Sequence, residues 1–299
     1  MKKKKIKKFL DLKSCLYFLA FLILASLVFF TSVKINEKLI LKKIEKQVSY
    51  YKTDFSGECS IIIQKPEGLG FKFAYKPDQK IPAASLIKLP ILAAALRAIE
   101  DGRFQFNQKV VVGAADIAGG SGIFKRVDLP LGLTFKELLS FMIIISDNSA
   151  TNKVIDLLGK DYINKIFLSL GLKNTSLERK MMDFSSRRKG FENYTSSRDI
   201  VKVLKMIYNN QLIDRKLSLF ARNLLSRQQY NDRIAFLLPK GIEVAHKTGL
   251  EKGVVHDAGI VYGEKNDFII CVLTKNVKNY KKAKEFIAEI SKMSYNLLN

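Results

Sequence analysis

The sequence predicts an α/β fold with an all-α part: an antiparallel sheet flanked by terminal helices, with an inserted helical subdomain, preceded by one transmembrane helix. Three observations support this prediction. Strand-like apolar runs occur near residues 59–75 and again in the last sixty residues, the middle has apolar residues at helical spacing, and residues 15–33 form an uncharged apolar run. With 299 residues, of which 47% are hydrophobic, the chain can bury a core.

The N-terminal segment predicts a membrane anchor. Residues 1–13 contain seven lysines and one aspartate, and they lead into the 19 uncharged residues 15–33. About 20 apolar residues cross a bilayer, and a preceding lysine cluster predicts a cytoplasmic N-terminus. We therefore divide the chain into a basic cytoplasmic segment (1–14), a signal-anchor (15–33) and an extracytoplasmic domain (34–299). The alternative is a cleaved signal peptide and secretion, although the run exceeds the usual 7 to 15 apolar residues of such peptides.

The extracytoplasmic domain begins and ends with the sheet. A first amphipathic helix is predicted at residues 39–51, and a hairpin follows it. The hairpin and the C-terminal strands assign 34–80 and 240–299 to the sheet, and 81–239 to the helical part. The strands predicted are 59–64, 71–75, 243–248, 259–262 and 268–274.

Capping residues predict where several helices begin. Thr134 and Glu137 form a capping box ahead of an apolar run, and Ser196 precedes a helix that extends through Ile207. A closing helix from Asn279 carries apolar residues on one face. The predicted fold therefore has strands and helices from the two ends of the domain on either side of a central helical block.

The net charge of the chain is better explained by the membrane orientation of its N-terminus than by a nucleic-acid partner. The formal net charge is +23, and the first 13 residues contribute +6 of it. Of the basic residues 40 are lysine and 11 are arginine, which is unlike a guanidinium-rich nucleic-acid reader, and no nucleic-acid-binding motif accompanies them. We expect no nucleic-acid partner.

The few cysteines and histidines limit metal and disulfide chemistry. Three cysteines and two histidines cannot supply a multi-zinc cluster or a dense disulfide framework, and no spacing predicts a metal site, so we expect no cofactor. Cys59 and Cys271 lie in strand-like runs. They pair if those strands are neighbours, or they are two separately buried thiols.

Three short motifs carry the candidate chemistry. Ser85-Leu-Ile-Lys88 places a hydroxyl and an amine on one face of a helix, where a desolvated lysine can take the serine proton. Alone this motif is weak, because such a pair occurs by chance about once in a chain of this length and then marks a solvated helix. Ser146-Asp-Asn148 follows at a helix junction, and Lys247-Thr-Gly249 at the end of a strand-like segment.

The three motifs, in this order, resemble the active-site-serine, penicillin-recognising enzymes, and in particular the class A β-lactamase family. The resemblance covers residues 35–299 and includes Pro82-Ala-Ala before the serine and a second asparagine, Asn152, after Ser146. It implies the β-lactamase/transpeptidase-like fold. It also implies a serine hydrolase that opens a β-lactam amide through an acyl-enzyme, outside the cytoplasm and without metal or cofactor.

The resemblance also implies catalytic roles. Ser85 is then the nucleophile, Lys88 activates it, and Ser146 relays a proton to the leaving nitrogen. Lys247 completes the catalytic set. The oxyanion hole is the backbone N–H groups of Ser85 and Leu250, since charge develops on the carbonyl oxygen as the tetrahedral intermediate forms.

Substrate contacts are implied in the same way. Asn148 bonds the amide side chain of the substrate, Thr248 with Lys247 holds its carboxylate, and Gly249 lets the strand approach it closely. His256 either faces the carboxylate pocket or is a hydrogen-bonded strand residue, and His246 is structural. The stretch Gly119-Gly-Ser-Gly122 is expected to form a turn near the cleft mouth.

The sequence departs from the family in its Ω-loop, residues 177–193. The family has a deacylating glutamate two residues after an arginine, whereas here Met181 follows Arg179. The acidic partner of that arginine is expected to be weakened to Asn193. Asp183 is the best substitute base, and its alternative role is to pair with Arg187 or Arg188.

The altered loop predicts fast acylation of Ser85 and slow turnover. The substrate is then a β-lactam or a peptidoglycan stem peptide, and the protein is expected to be a monomer held to the membrane by its N-terminal helix. Two alternatives are a cell-wall D-Ala-D-Ala carboxypeptidase or transpeptidase, and a sensor that binds β-lactams or muropeptides without hydrolysing them.

Overall fold

One five-stranded antiparallel sheet organises the fold. In the computed structural model, which describes residues 12–54, 57–66 and 71–299, the strands are, in chain order, β1 (Glu58–Gln64), β2 (Lys72–Tyr75), β3 (Ile81–Pro82), β4 (Lys109–Val112), β5 (Leu131–Thr134), β6 (Tyr194–Thr195), β7 (Glu243–Glu251), β8 (Val254–Tyr262) and β9 (Phe268–Lys275). The five-stranded sheet has the order β2-β1-β9-β8-β7. The predicted antiparallel sheet from the two ends of the domain is confirmed, and β7 lies at its edge.

Helices surround the sheet and fill the middle of the chain. The α-helices are, in chain order, α1 (Leu12–Asp54), α2 (Lys88–Glu100), α3 (Phe135–Ile144), α4 (Asn148–Leu158), α5 (Lys160–Ser169), α6 (Phe184–Arg188), α7 (Ser197–Tyr208), α8 (Arg215–Ser226) and α9 (Tyr280–Leu298). Strands β1 and β9 are buried along nearly their whole length, and α7 and α9 both pack on β9. A strand covered on both faces has a continuous apolar sequence, which is why these runs show little alternation.

Helix α2 is the central helix of the inserted block. Ten of its thirteen residues are buried, and it contacts α3, α4, α5 and α7. The predicted start of α3 is confirmed, because Thr134 Oγ1 accepts the N–H of Glu137 and Glu137 Oε2 accepts the N–H of Thr134. Ser196 likewise accepts the N–H of Asp199 at the start of α7.

The block also contains strands that the sequence did not predict. Strand β4 pairs with β5, and β3 pairs with β6. Each has only two to four residues, too few to show a period. The pairing of Ile81 with Thr195 and of Pro82 with Tyr194 joins the end of the Ω-loop to the segment before Ser85.

The N-terminal helix differs from the sequence prediction. Instead of an anchor followed by a separate helix at 39–51, α1 is continuous from Leu12 to Asp54, because no glycine or proline interrupts it. The chain divides into two units, Met1–Lys43 and Ile44–Asn299. In the described part of the first unit, Ser14–Ser32 has a mean hydropathy of 2.3 and is long and apolar enough to cross a membrane, as an anchor or a signal peptide does.

The two strand cysteines cannot form a disulfide with each other in this sheet. Strands β1 and β9 are neighbours, but Cys59 pairs with Thr274 whereas Cys271 pairs with Ile62. This offset of three residues places the two side chains on opposite faces of the sheet. Both cysteines are buried, and burial raises the pKa of the Cys271 thiol well above its usual value.

Candidate active site

Ser85 lies in a short 3-10 helix, Ala84–Ile87, that leads directly into α2. The residue before it, Ala84, has a φ of +44°, a conformation that L-residues rarely adopt. The N–H of Ala83 donates to the carbonyl of Asn193 at 2.7 Å, so the Ω-loop fixes the position of this segment. Such strain persists only where the surrounding structure imposes it, and here it presents a half-buried serine to a cleft.

Lys88 is fully buried and directed at the second motif. Its Nζ donates to Ser146 O at 2.7 Å, to Ser146 Oγ at 3.0 Å and to Asn148 Oδ1 at 2.8 Å. Burial lowers the pKa of Lys88 well below its usual value, and the nearby charge of Lys247 adds to this effect. A lysine whose pKa is lowered in this way loses its proton more readily, which favours the neutral amine that can accept a proton.

The second motif occupies a strained turn between α3 and α4. Ser146 has a φ of +56°, and this geometry lets both its carbonyl and its hydroxyl reach the same lysine amine. Asp147 caps α4 by accepting the N–H of Ala150 at 2.9 Å. Asn148 Nδ2 donates to Gly119 O at 2.8 Å, so the glycine-rich turn, which was predicted near the cleft mouth, lies beside the second motif.

Lys247 approaches Ser146 from the sheet. Its Nζ donates to Ser146 Oγ and to Thr248 O, each at 3.0 Å. The Ser146 hydroxyl therefore lies within hydrogen-bond distance of two lysine amines. Burial lowers the pKa of Lys247 to about 7, although the Asp257 carboxylate raises it, and the positive charge of Arg233 lowers it further.

Arg233 is a residue that sequence reasoning missed. Its guanidinium is 3% exposed, its Nη1 lies 2.9 Å from Asp232 Oδ1, and its buried Nε has no hydrogen-bond partner among the described residues. It also belongs to no motif, so a single sequence gave no signal for it. A buried guanidinium near Lys247 adds positive potential where an anion would be held.

Gly249 has a packing role in the structure. A Cβ at this position would lie 3.1 Å from His256 Cδ2, 3.2 Å from its Cβ and 3.5 Å from Ala83 O. Glycine therefore lets β7 pack closely against the segment that carries Ser85. Strand β7 continues to Glu251, so the third motif lies within the strand and not at its end, and Leu250 next to it is half exposed.

The two histidines are both structural in this geometry. His256 Nε2 bonds Pro82 O at 2.8 Å, while its Nδ1 accepts the N–H of Thr274 at 3.0 Å. Burial lowers the pKa of His256 to about 4, which keeps the ring neutral. The ring therefore ties the sheet to the serine segment. His246 bonds Asp257 at 3.0 Å, on the other side of the strand from Lys247, as strand alternation predicts.

A cavity of about 260 Å³ opens beside Ser85. Its lining comes from Asn148 and the turn at Gly120, from the Ω-loop and from the end of β7. Met181 also lines the cavity. The lining includes further residues that the sequence did not predict for the site, namely Met182, Phe184, Glu251 and Lys252. The cavity is large enough to admit a small ligand next to the serine hydroxyl.

Met181 is held firmly in this wall. The N–H of Met181 donates to Asn152 Oδ1 at 2.8 Å, and Asn152 Nδ2 donates to Met181 O at 3.1 Å. The residue is 8% exposed, and the next one, Met182, has a φ of +63°. The second asparagine of the Ser146 motif thus fixes the backbone at the position where the family has glutamate.

The expected weakening of the Arg179 partner is wrong. Arg179 Nη2 lies 2.7 Å from Glu192 Oε1, so the acidic partner is Glu192, one residue before the expected position. Asn193 instead accepts the N–H groups of Glu178 and Arg179 and donates to Arg179 O at 2.9 Å. The two residues together close the neck of the loop.

Asp183 does not lie with the other site residues. Its carboxylate accepts the N–H of Ser186 at 2.9 Å and the Ser186 hydroxyl at 2.6 Å, which caps α6. These bonds lower the pKa of Asp183. Its side chain lines a separate pocket beside Lys160 and Lys180, so the geometry argues against the predicted role of Asp183 as a base. Its acceptors are used by Ser186, not by the arginines expected as the alternative.

Within the described ranges, no group of three or more His, Cys, Asp and Glu side chains is arranged to hold a metal ion. The site therefore offers a serine hydroxyl and two buried lysine amines. These are the parts of an acyl-transfer site in which a lysine activates a serine.

Comparisons with known proteins agree with this chemistry. Residues 41–298 match the model of the Beta-lactamase enzyme family. Beta-lactamase SME-1 of Serratia marcescens is 25% identical over 257 residues, which are 83% of this chain and 87% of the relative. A beta-lactamase structure from Sphaerobacter thermophilus has a TM-score of 0.79 at 29% identity and covers 85% of this chain and 95% of its own.

A second solved structure is an acyl-enzyme. It is a leucine-to-glutamate variant of a protein named PBP-A in complex with penicillin G, with a TM-score of 0.78 and 27% identity. The match covers 86% of this chain and 96% of that one.

Proposed function

The chain belongs to the beta-lactamase enzyme family, with the class A fold, and we propose that it opens the amide of a β-lactam ring through an acyl-enzyme on Ser85 that is released slowly. The observation that carries this proposal is the position of the Ser146 hydroxyl, 3.0 Å from the amines of both Lys88 and Lys247. The proposed proton relay, Ser146, is thus in contact with the lysine three residues after the proposed nucleophile, Ser85.

The acylation step uses these groups in sequence. Neutral Lys88 accepts the proton of Ser85 Oγ as that oxygen attacks the lactam carbonyl carbon. The backbone N–H groups of Ser85 and Leu250 stabilise the negative charge on the carbonyl oxygen. When the C–N bond breaks, the Ser146 hydroxyl donates its proton to the nitrogen and regains one from the protonated Lys88, 3.0 Å away.

Substrate recognition is assigned to the charged end of the site. Lys247 and Thr248 hold the carboxylate of the β-lactam, with Arg233 adding positive potential beside them. Asn148 bonds the amide of the acyl side chain. Because Leu250 lies on the edge strand β7, the backbone there has a side that no strand of the described residues covers, where a ligand amide can align.

This recognition predicts a pH dependence. Lys247, with a pKa of about 7, is charged below that pH and loses its charge above it, so carboxylate binding weakens as pH rises. We expect the second-order rate constant for acylation by benzylpenicillin to fall about tenfold between pH 6 and pH 8. The methyl ester of benzylpenicillin lacks the carboxylate and serves as the control. Equal pH profiles for acid and ester, measured by quenched mass spectrometry, would contradict the role of Lys247.

Slow release of the acyl-enzyme follows from Met181. Its thioether is at most a weak hydrogen-bond acceptor and cannot take a proton from a hydrolytic water. Among the described residues that line the cavity, Glu251 has a carboxylate, but two arginines occupy it. The PBP-A variant, whose fold is similar, was solved as an acyl-enzyme with penicillin G, which supports the covalent intermediate proposed for this chain.

The experiment that tests the proposal is intact-mass spectrometry. The purified full-length protein is incubated with benzylpenicillin and quenched at intervals. We expect one covalent adduct per chain, mapped to the Ser85 peptide, that persists much longer than it takes to form. Absence of both adduct and hydrolysed product would contradict the acyl-enzyme proposal, and rapid multiple turnover would contradict slow release.

A second candidate function is favoured by the same methionine. A D-Ala-D-Ala carboxypeptidase needs the same acylation groups, and the missing glutamate makes β-lactam turnover less efficient. Release of D-alanine from a D-Ala-D-Ala peptide, compared with hydrolysis of a chromogenic cephalosporin, separates the two functions. We expect the cephalosporin to label the protein in either case.

The apolar part of α1 gives the location proposed for this activity. The N-terminus remains in the cytoplasm, the helix stays uncleaved, and the domain lies outside, where β-lactams and wall peptides are met. We expect the protein to resist alkaline extraction of membranes and to keep its first 33 residues in its intact mass. A shortened, soluble product would identify the segment as a cleaved signal peptide.

A further inference from the structure

A buried histidine and a buried aspartate lie beside the third motif, and the proposed reaction uses neither of them. His246 precedes Lys247 in β7, and its Nδ1 lies 3.0 Å from Asp257 Oδ1. Since a carboxylate oxygen only accepts, the ring donates this hydrogen bond. Both side chains are buried, and a buried carboxylate needs such a partner because its charge is costly to remove from water.

The sheet places Asp257 next to residues that are proposed to bind the substrate carboxylate. In the register of β7 with β8, Asp257 is directly opposite Thr248. Paired residues of an antiparallel sheet point to the same face, with their Cβ atoms about 5 Å apart. A negative group at this place would oppose the binding of an anion unless it also holds the groups that bind the anion.

Asp257 and His246 both hold the loop that carries Arg233, which joins α8 to β7. The Ile234 N–H donates to Asp257 Oδ2 at 3.1 Å. On the other side of Arg233 in the chain, Asn231 Oδ1 lies 3.0 Å from His246 Nε2. The pair therefore fixes the loop both before and after the buried guanidinium of Arg233.

Helix α9 supplies a third contact to the same loop. Asp232 Oδ2 lies 2.6 Å from Lys284 Nζ, and Asp232 Oδ1 lies 2.9 Å from Arg233 Nη1. The first of these ion pairs is partly exposed and therefore stabilises the loop less than the buried bonds do. A long side chain that is already held in place loses less conformational entropy when it orders around an anion.

These contacts give the buried pair a role in substrate recognition. We infer that Asp257, oriented by His246, is a positioning residue that holds Arg233 for recognition of the substrate carboxylate. The inference rests on the proposed function, which supplies a substrate with a carboxylate. The role has two separable parts, because the bond to the loop needs only an acceptor oxygen at Asp257, whereas an effect on Lys247 needs its negative charge.

The charges around Lys247 give the sign of the second part. Burial lowers the pKa of Lys247 to about 7, the Asp257 charge on β8 raises it, and the Arg233 charge lowers it. Lys88 on α2 is close enough for its charge and that of Lys247 to oppose each other, while burial keeps the Cys271 thiol on β9 neutral by raising its pKa. Removal of the Asp257 charge therefore lowers the pKa of Lys247 further, and this lysine loses its charge at a lower pH.

Asp257→Asn in the full-length protein tests the effect of the charge. The asparagine keeps an acceptor oxygen for the Ile234 N–H and removes the negative charge. We expect the acylation rate constant for benzylpenicillin to be about fivefold lower than in wild type at pH 7 and nearly equal to it at pH 5. The methyl ester of benzylpenicillin, which has no carboxylate, should react at nearly the wild-type rate at both pH values.

His246→Gln tests the attachment of the loop. This variant keeps the Asp257 charge and removes the ring that joins Asp257 to Asn231. We expect acylation by benzylpenicillin to fall about tenfold relative to the ester, at pH 5 and at pH 7 alike. Amide hydrogen exchange of residues 230–236 is expected to quicken in the same variant.

The matched control is Asp199→Asn. Asp199 on α7 is also buried, and it likewise accepts a backbone N–H, that of Asn174 at 2.7 Å. A loss of stability alone lowers the rates for the acid and the ester equally. The control variant should therefore leave their ratio and its pH dependence as in wild type.

The outcomes separate the inference from the function on which it rests. Equal changes for acid and ester in His246→Gln, or a wild-type pH profile in Asp257→Asn, would overturn the role in carboxylate recognition. If Asp257→Asn does not fold, the acid-to-ester ratio of His246→Gln decides. If the wild-type protein is acylated by neither probe, the proposed function fails, and the hydrogen exchange of the loop then decides the attachment alone.

Discussion

Replacement of Ser85 by alanine is expected to abolish covalent labelling by benzylpenicillin and to lower kcat/KM for a chromogenic cephalosporin by about 10⁴-fold or more. The reason is chemical, because the cleft then holds no hydroxyl in the place where Lys88 can activate it. The small side chain lies at the start of a buried helix, and its loss leaves the hydrogen bonds of Lys88 and Lys247 to Ser146 in place. The expected loss is therefore one of activity, with the melting temperature nearly unchanged.

A serine elsewhere in the helical block provides the control for this result. Ser140 lies on α3, where its hydroxyl donates to Lys136 O at 2.8 Å, and Ser140→Ala should label at the wild-type rate. Intact-mass spectrometry and peptide mapping measure both variants. A Ser85→Ala protein that still forms an adduct would show that another nucleophile carries the reaction, and it would remove the basis of the proposed mechanism.

The positions of the candidate catalytic groups were predictable because their motifs are short and local. Ser85 and Lys88 share one helical turn, and Ser146 and Asn148 share one turn of chain, so residue types and spacing already restrict their geometry. The resemblance supplied the fold that brings these segments together. The hydrogen bonds of Lys88 and Lys247 to Ser146 agree with that expectation.

The electrostatic partners were not predictable in the same way. The spacing from Arg179 predicts Asn193 as its partner in the neck of the Ω-loop. The acidic partner is Glu192, which lies one residue earlier in the chain. Asp183 was near in sequence, but an N-terminal position on α6 turned its carboxylate toward Ser186. Such outcomes depend on loop conformation, and side chains a few residues apart in a loop point in different directions.

Contacts between residues that are distant in the chain also could not be predicted from local sequence patterns. Arg233 and Glu251 belong to no motif, and each acquires its role through segments distant in the chain. Helix α1 differs from the prediction for another reason. The sequence changes from an apolar to an amphipathic pattern, which predicts a boundary, but no glycine or proline is present to end the helix there. Composition can change along a helix without ending it.

Replacement of Met181 by glutamate is expected to convert slow release into turnover. Met181 lines the same cavity as Ser85, and Asn152 fixes its backbone from both sides, so a carboxylate at this position is presented toward the acyl-enzyme. A positioned general base accelerates proton transfer by about 10²- to 10⁴-fold, so we expect the deacylation rate constant to rise at least 10²-fold. The decay of the adduct after removal of excess benzylpenicillin measures it.

Met181→Gln separates the base from the change of shape. Glutamine has the size and polarity of glutamate but cannot accept a proton from water at neutral pH. If the gain requires a base, Met181→Glu turns over while Met181→Gln stays acylated like the wild type. Because burial raises the pKa of a carboxyl group, the gain should grow as pH rises and the glutamate ionises. Equal deacylation in both variants would mean that water access, and not the missing base, limits release, and the proposed cause of slow turnover would then be wrong.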